Sequence, residues 1–300
     1  MAIEAVATQQ TVERPTRNMV ALLGFLQKAE VDTIFERQPW EMIDSRTPAQ
    51  LWREFAAKVP DLPPIPAGAA TLLGQEAEEV IADVKTRRTY VEHYDRQADY
   101  SFASVPIGAL LSPQWTADID YVREIASSAS PGMSQSELLK FTTSEGSITK
   151  PIVTGNQVLF TSPRPDLYAD VVPKVSTDPQ GGFQISVRAG SRPNYVQVAK
   201  VGDKLLLVNG VHKVCGLALA GYIDVPCVFR EAPTFADTGI GQNDPIMTRL
   251  LGRDRPARVL DFVDPDAGAP FRKQSTYHVM QVVLQQGMLT PPALAEVVTP

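Results

Sequence analysis

The chain has 300 residues, of which 44% are hydrophobic and 21% charged, and its formal net charge is -6. A chain of this size and composition can bury a large hydrophobic core. The acidic balance disfavours a nucleic-acid-binding protein, because the phosphate backbone favours clustered lysine and arginine. The 25 prolines argue against a plain helical bundle, since proline interrupts helix interiors.

Potential metal ligands are sparse and scattered. The two cysteines, Cys215 and Cys227, stand in apolar segments without the paired spacing of zinc ligands, and the three histidines are far apart. We therefore expect buried, reduced thiols and no zinc, haem or iron–sulfur cluster. No apolar run reaches the about 18 residues of a membrane span, and the N-terminus lacks the apolar stretch of a signal peptide. We expect a cytoplasmic protein without a membrane partner.

The N-terminal part of the chain is predicted to be mainly helical. Residues 1–17 are polar and show no periodicity, which indicates a flexible arm. A short helix is expected from Asn18 through MVALLGFLQKAE, and a second begins at the capping box Thr47-Pro48-Ala49-Gln50. Proline-rich residues 60–66 predict a stiff spacer, and one long helix is expected from Gly74. Residues 18–98 are thus taken as a helical N-terminal region.

Short strands and helices follow from residue 100. SFASVPIGALL predicts a strand that ends at Ser112-Pro113, and TADIDYVREIASS predicts a helix. The capping box Ser134-Gln135-Ser136-Glu137 begins another helix. Five short strands are then expected, in SITKPIVT, QVLFTS, GFQISVR, YVQVAKV and KLLLVNG. Gly202-Asp203, between the last two, indicates a tight hairpin.

The end of the chain reads as a helix, a strand and an extension. VHKVCGLALAGY predicts a compact helix that stops at Gly221, and IDVPCVF predicts an apolar strand. After Arg230, a short helix is expected at Asp244-Pro245, while STYHVMQVVLQQG fits either a helix or a strand. We take residues 231–300 as a C-terminal extension.

The segment LLLVNGVHK, from Leu205 to Lys213, allows two interpretations. Asn-Gly is the most frequent sequence of a two-residue hairpin turn. However, Val214, Leu217 and Ala218 follow at helical spacing, whereas a hairpin needs a second alternating strand. The pattern therefore favours a strand that leads through a turn into a helix.

This strand–turn–helix resembles the ParB/sulfiredoxin-like superfamily. The positions that match its signature are Gly210, His212, Lys213, Leu217, Gly221, Val225 and Pro226. A weaker similarity reaches back to VPIGALLSPQW. The resemblance implies an α+β fold in which residues 100–230 form a mixed-sheet domain, between the helical region and the extension.

The resemblance also implies a phosphate site, since the turn is similar to one used for nucleotide binding, phosphoryl transfer or sulfinic-acid repair. Glycine admits a close ligand, and the amides at the start of a helix attract anions. The candidate phosphate-binding or nucleotide-binding residues are Asn209, Gly210, His212 and Lys213, with Arg188 and Arg192 in second place. Mg²⁺ would accompany a nucleotide.

Three departures from the family pattern narrow the implied chemistry. Val211 stands where the repair enzymes carry cysteine, which argues against sulfinic-acid reduction. Lys213 replaces the more usual arginine and lacks its bidentate fork. No clear helix-turn-helix follows Arg230, so DNA partitioning is disfavoured.

Each candidate also has an ordinary structural explanation. His212 fits a structural histidine as well as a ligand, Lys213 fits a solvated side chain, and the two arginines fit a surface loop. The weak catalytic candidates on the early helix, which would serve proton transfer or a metal, are equally well explained by a solvated helix face; they are Asp118, Asp120 and Glu124. The run Arg253-Arg255-Arg258 predicts an exposed turn, with an acidic partner or nucleic acid as the alternative.

Three functional hypotheses follow. The first is a protein that binds a small phosphate-bearing ligand such as a nucleotide, or an enzyme of the phosphotransferase or nucleotide-hydrolase class. The second is a non-catalytic structural or interaction protein that keeps the fold and contacts protein partners through its helical and proline-rich segments. The third, a DNA-binding protein or nuclease, needs a basic face that the composition does not indicate.

Overall fold

The computed structural model describes residues 16–37, 40–94, 99–145, 152–155, 157–162, 167–171, 176–177, 183–184, 187–191, 193–240, 245–275 and 278–283. Helices and mixed sheets together give an α+β protein, as expected. The chain divides into two compact units. The first contains Met1–Glu145 and Pro193–Ser275, and the second contains Gly146–Arg192 and Thr276–Pro300.

The elements are numbered in chain order. The strands are β1 (Thr16–Ala21), β2 (Trp40–Met42), β3 (Thr71–Leu72), β4 (Ser101–Pro106), β5 (Leu110–Leu111), β6 (Thr116–Asp118), β7 (Ile152–Thr154), β8 (Gln157–Ser162), β9 (Leu167–Val171), β10 (Ser176–Thr177), β11 (Phe183–Gln184), β12 (Val187–Ser191), β13 (Gln197–Val201), β14 (Lys204–Asn209), β15 (Asp224–Glu231), β16 (Ala269–Gln274) and β17 (His278–Val283). The α-helices are α1 (Lys28–Arg37), α2 (Pro48–Lys58), α3 (Glu78–Thr86), α4 (Arg88–His93), α5 (Ile119–Ser128), α6 (Gln135–Thr142), α7 (Val211–Leu219) and α8 (Pro245–Leu251).

A six-stranded mixed sheet is the centre of the first unit. Its strand order is β3-β4-β15-β13-β14-β5, in which β13 runs parallel to β15 and β14 runs parallel to β5. The expected hairpin between β13 and β14 is confirmed, and Gly202 takes a positive φ of 61° in its turn. The inward side chains of these strands form the core with α5 and α7.

A second sheet, with order β2-β16-β1-β6, brings strands from the early and late parts of the first unit together. The helix expected from Asn18 is wrong: residues 16–21 form β1, which pairs with β16 on one side and β6 on the other. The apolar residues there are partly or fully buried between neighbouring strands, and the helix starts only at Lys28. Contacts with distant strands outweigh the local helical pattern.

The expected single helix from Gly74 is also wrong, since α3 and α4 are separate helices. Arg87 interrupts them with an extended backbone (ψ 134°). Its guanidinium donates to the Thr143 carbonyl at 2.8 Å and to Asp83 at 2.6 Å. Val80, Val84 and Tyr90 nevertheless face the core as expected, whereas Val91, which was also expected to face inward, is 38% exposed.

Most local signals in the middle of the chain are confirmed. Both capping boxes are present, at the starts of α2 and α6, and α8 begins at Pro245. The strand expected over SFASVPIGALL is interrupted by a short 3-10 helix at Ile107–Ala109. The helix expected over TADIDYVREIASS starts at Ile119, because Thr116–Asp118 pairs as β6.

The second unit contains small antiparallel sheets. One has the order β17-β8-β7, and two-stranded sheets form between β9 and β12 and between β10 and β11. The ambiguous STYHVMQVVLQQG segment is a strand over His278–Val283. The boundaries between the two units fall at residues 145/146, 192/193 and 275/276. They differ from the four consecutive segments expected, which were 1–17, 18–98, 100–230 and 231–300. None of the described helices is both long and apolar enough to cross a membrane.

Candidate functional site

The candidate turn joins β14 to α7 in the way the helix-like spacing indicates. Gly210 has a left-handed conformation (φ 96°) immediately before Val211, where α7 begins. A Cβ at Gly210 would lie 3.0 Å from both Cα and Cγ2 of Val196, so glycine is required by conformation and by space. The hairpin interpretation of Asn209-Gly210 is therefore wrong.

The other end of α7 also follows the expected pattern. Gly221 has a φ of 90°, its N–H donates to the Ala218 carbonyl, and the Tyr222 N–H donates to the Leu217 carbonyl, both at 3.0 Å. These two bonds are the Schellman motif that ends many helices in a left-handed glycine. The predicted strand, turn, helix and exit strand are confirmed as secondary structure.

Lys213 lies on the inward side of α7 and is only 5% exposed. Its Nζ donates to the carbonyls of Asn194 (2.7 Å), Ser144 (3.0 Å) and Thr142 (3.2 Å), and to the Ser144 hydroxyl (3.0 Å). An ammonium has three protons, so these four oxygens already occupy its donors. Lys213 is not the solvated side chain that one sequence-based alternative supposed.

Two of those oxygens belong to the end of another helix. Thr142 is the last residue of α6, and Ser144 follows two residues later. The last carbonyls of a helix have no partner within it and carry the negative end of the helix dipole. Lys213 of α7 therefore caps the C-terminus of α6 and ties it to the segment at Asn194, which leads into β13.

His212 is half-buried and acts as a hydrogen-bond acceptor. The backbone N–H of Asp118 donates to its Nε2 at 3.0 Å, and its ring lies 5.4 Å from the Tyr121 ring. A nitrogen that accepts a hydrogen bond carries no proton, so this bond requires the neutral imidazole with its proton on Nδ1. This arrangement uses His212 to join α7 to the start of α5.

The weak catalytic candidates Asp118 and Glu124 lie near the same contact, at α5. Asp118 caps α5 by accepting from the Tyr121 N–H (2.9 Å), and it accepts from the Arg17 Nε at 2.9 Å. Arg17 also reaches Glu124 at 3.1 Å. These carboxylates bind β1 to α5. The solvated helix face fits Glu124, whose side chain is 59% exposed, but not Asp118, whose side chain is 23% exposed.

Asp120 holds the backbone and side chain of Asn18. The Asn18 N–H donates to Asp120 Oδ2 at 2.8 Å, and Asn18 Nδ2 donates to Oδ1 at 3.0 Å. Burial opposes the charge on this carboxyl, but the Asn18 bonds and the charges of Arg17 and Arg123 outweigh it. The pKa of Asp120 therefore lies below its ordinary value.

Among the remaining phosphate-site candidates, only Asn209, the last residue of β14, is placed beside the turn by the described part of the chain. Asn209 donates through Nδ2 to the Pro193 carbonyl at 3.3 Å. Arg188 is in β12, opposite Asp170, but its side chain lies outside the described atoms. Arg192 lies outside the described residues altogether. Both arginines stay predictions.

Both cysteines are buried in the core of the first unit. The Cys215 thiol points at the Val259 carbonyl (3.5 Å) and the Cys227 thiol at the Ala103 carbonyl (3.4 Å). Burial raises the pKa of each thiol far above its ordinary value, which disfavours the reactive thiolate. Among the described residues, no group of three or more His, Cys, Asp or Glu side chains is arranged to hold a metal ion.

The arginine run near residue 255 was expected to be an exposed turn, and this is wrong for two of its members. Arg255 and Arg258 both bind Asp261, whose side chain is fully buried; the closest contacts are 2.9 and 3.1 Å. Arg255 also lies over the Phe25 ring, 5.6 Å from its centre. Sequence reasoning missed Asp261; its place three residues after Arg258 is the signal that pointed to it.

Comparison with family models, curated proteins and solved structures finds no match for this chain. The ParB/sulfiredoxin-like resemblance therefore rests on the motif residues themselves.

Proposed function

We propose that this chain is a non-catalytic protein that acts through protein contacts and uses the Gly210–Lys213 turn as a structural joint. The order of β13, β14, turn, α7 and β15 supports the proposal that it keeps a ParB/sulfiredoxin-like domain. The hydrogen bonds that Lys213 donates are the observation that supports a structural role of the turn. A phosphate ligand at this turn would have to take the ammonium away from three backbone carbonyls, of which that of Thr142 is fully buried.

A comparison of hydrogen-bond energies favours a structural role for Lys213 over phosphate binding. A buried polar group left without its partner costs about 1–3 kcal/mol, and the Lys213 ammonium serves three separate carbonyls. An anion would gain one charge-assisted contact at the loss of the charge-assisted bonds to these carbonyls. His212 adds to this, because Nε2 is used as an acceptor rather than as a donor to an anion.

The surface that we propose for protein contact is the free edge of β7. Ile152 and Val153 are 57% and 68% exposed, although they alternate between the two faces of the strand. Within the described residues, β7 pairs only with β8, so its other edge is open to a further strand.

The occupant that we propose for this edge is β7 of a second copy. The strand Ile152–Thr154 carries no charge, so two copies meet there without local repulsion, despite a net charge of -6 on each chain. An edge strand is also complementary to itself in antiparallel pairing about a two-fold axis.

The joint is tested with a panel of ATP, ADP, CTP and GTP plus Mg²⁺, read by thermal shift and calorimetry on the wild type, His212→Ala and Lys213→Met. We expect no nucleotide to stabilise the wild type. Lys213→Met is expected to lose about 2–4 kcal/mol of stability, because it removes the hydrogen bonds that join the end of α6 to the segment at Asn194. Lys140→Met, which removes an exposed lysine of the same helix end, controls for charge and is expected to be neutral.

A saturable nucleotide effect on the wild type that disappears in folded His212→Ala would overturn the structural joint and restore the phosphate site. This outcome can be read even if Lys213→Met fails to fold.

The contact surface is tested by the mass of the particle in solution, measured by light scattering over a concentration series. We expect the wild type to associate, Val153→Lys to remain monomeric, and Ile223→Lys, which places the same charge on a 79% exposed apolar residue elsewhere, to associate like the wild type. A wild type that stays monomeric at every concentration, or a Val153→Lys variant that associates equally well, rejects β7 as the contact.

A further inference from the structure

We infer that a cleft between the start of α1 and the end of α8 is a binding site for a small organic carboxylate with an apolar body. The cleft has a volume of about 190 Å³. It is lined by Phe25, Leu26, Gln27, Glu30, Ile246, Arg249, Leu250 and Arg253. It lies wholly within the first unit and shares no residue with the Gly210 turn, so this inference is independent of the proposed function.

The polar wall of the cleft carries an excess positive charge. Glu30 is largely occupied, since one oxygen binds Arg249 and the other accepts the Gln27 N–H at 2.7 Å. Arg253 is half-buried and makes no ion pair or side-chain hydrogen bond with the residues that the structure describes. Two guanidinium groups against one carboxylate leave one positive charge, in a chain whose net charge is -6.

Arg253 differs in this respect from the arginines beside it. Arg255 and Arg258 form ion pairs with Asp261 in the core. Arg253 forms no ion pair with the described residues and lines the cleft. Asp254 is exposed and is not among the lining residues. A guanidinium with free donors matches the planar, bidentate geometry of a carboxylate.

The apolar lining of the cleft determines which group fits beside the anionic group of the ligand. Ile246 is half-buried and presents aliphatic surface to the cleft, whereas Phe25, Leu26 and Leu250 line it with almost fully buried side chains. This lining favours a small apolar body beside the anionic group. Pockets for drug-sized ligands are usually about 300–1,000 Å³, so this cleft suits a smaller molecule and excludes a whole nucleotide. A single excess charge matches a monocarboxylate better than a phosphate dianion.

Trp52 offers a direct readout, because its Nε1–H donates to the carbonyl of Leu26, a lining residue, at 3.0 Å. The chain has three tryptophans, and the other two, Trp40 and Trp115, stack on each other beside the second sheet. In ¹⁵N-labelled full-length protein, the three indole signals can be assigned with Trp52→Phe. The Trp52 signal then reports on the cleft, with the other two as internal controls.

The experiment titrates benzoate and hexanoate, with benzyl alcohol as the neutral analogue and inorganic phosphate as the alternative anion. We expect the carboxylates to shift the Trp52 signal saturably, with millimolar affinity, and both benzyl alcohol and phosphate to bind at least about tenfold more weakly. Arg253→Gln is expected to weaken carboxylate binding about tenfold, and Arg253→Lys less, because it keeps the charge but loses the fork.

Arg123→Gln is the matched control, since it removes the same charge from an exposed position on α5 and is expected to bind like the wild type. The site is rejected if no carboxylate gives a saturable shift, or if Arg253→Gln binds as well as Arg123→Gln. A phosphate response equal to that of benzoate overturns the assignment of ligand class.

Discussion

At the scale of single residues, the charged groups marked by the sequence are bound to partners within the fold. Lys213 caps a neighbouring helix, His212 accepts a backbone N–H, and Asp118 holds Arg17. Each has the chemistry expected of an active-site group, yet each uses it to join elements that are distant in sequence. Residue type alone indicates what bonds a side chain can make, while burial and partners decide which bonds are made.

The bond between Asp120 and Asn18 makes a prediction about acid stability. The pKa of Asp120 is lowered in the folded protein, so its contribution is present above the unfolded pKa of about 3.9 and is lost as the pH falls through the folded value. The stability of Asp120→Asn is therefore expected to fall less than that of the wild type between about pH 5 and pH 3. The difference is expected to be about 0.5 kcal/mol, because this half-buried group, whose side chain is 27% exposed, is still partly screened by solvent.

Urea unfolding at both pH values measures the effect. Asp203→Asn is the control, since Asp203 is an exposed turn residue without a side-chain hydrogen bond to the described residues. If Asp120→Asn and the wild type lose the same stability on acidification, the Asn18 bonds do not stabilise the charged carboxyl.

At the scale of elements, the close contact between α5 and α7 depends on the one glycine inside α7. A Cβ at Gly216 would lie 2.4 Å from Ile125 Cγ2, 2.8 Å from Ile125 Cβ and 3.1 Å from the Val122 carbonyl. Glycine weakens a helix interior by about 1 kcal/mol relative to alanine. The tight approach of the two helices explains why this cost is accepted here.

Gly216→Ala is expected to destabilise the protein by about 1–3 kcal/mol, because the clash with α5 exceeds the gain in helix propensity. Adding Ile125→Ala removes the closest clashing atom, Cγ2, and leaves Cβ. The double variant is therefore expected to lose at least about 1 kcal/mol less than the sum of the two single variants. Gly74→Ala, where a Cβ would meet nothing within 4 Å, is the neutral control. Additive losses in denaturant unfolding would contradict the proposed contact.

Elements with short-range signals could be predicted from the sequence. The capping boxes at Thr47 and Ser134 and the stop at Gly221 depend on hydrogen bonds within a few residues, and all three are present. Elements that depend on distant partners could not. The strand β1 was expected to be a helix, because its pairing with β16 at the other end of the chain leaves no local pattern.

Only the local features of the candidate site could be predicted from the sequence. The turn at Gly210 could be placed from the helical spacing that follows it, and its conformation is as expected. The acceptors of Lys213 lie near residues 142 and 194, so its burial could not be foreseen from neighbouring residues. Asp261, which pairs with two arginines in the core, was missed because its place three residues after Arg258 does not by itself indicate burial.

At the scale of the whole molecule, the first unit is closed by residues from its early and late parts. In the second sheet β1 and β16 pair over six residues, and Trp40 stacks on Phe271 with ring centres 4.1 Å apart. Such long-range pairing makes the unit cooperative, since neither end can leave without exposing the sheet. Both cysteines lie within this unit, and the second unit has none.

The thiols therefore report on the opening of the first unit. Cys215 and Cys227 are fully buried and their pKa values are raised by burial, so we expect no reaction with an aromatic disulfide reagent in the native protein. In urea, both thiols should react together, at the rate at which tryptophan fluorescence reports unfolding, because exposing either one requires the core to open. Ser127→Cys, an exposed position on α5, is expected to react at once and shows that the reagent is active. Rapid labelling of one native cysteine, without loss of the fluorescence signal, would mean that the core opens locally and that the unit is not cooperative.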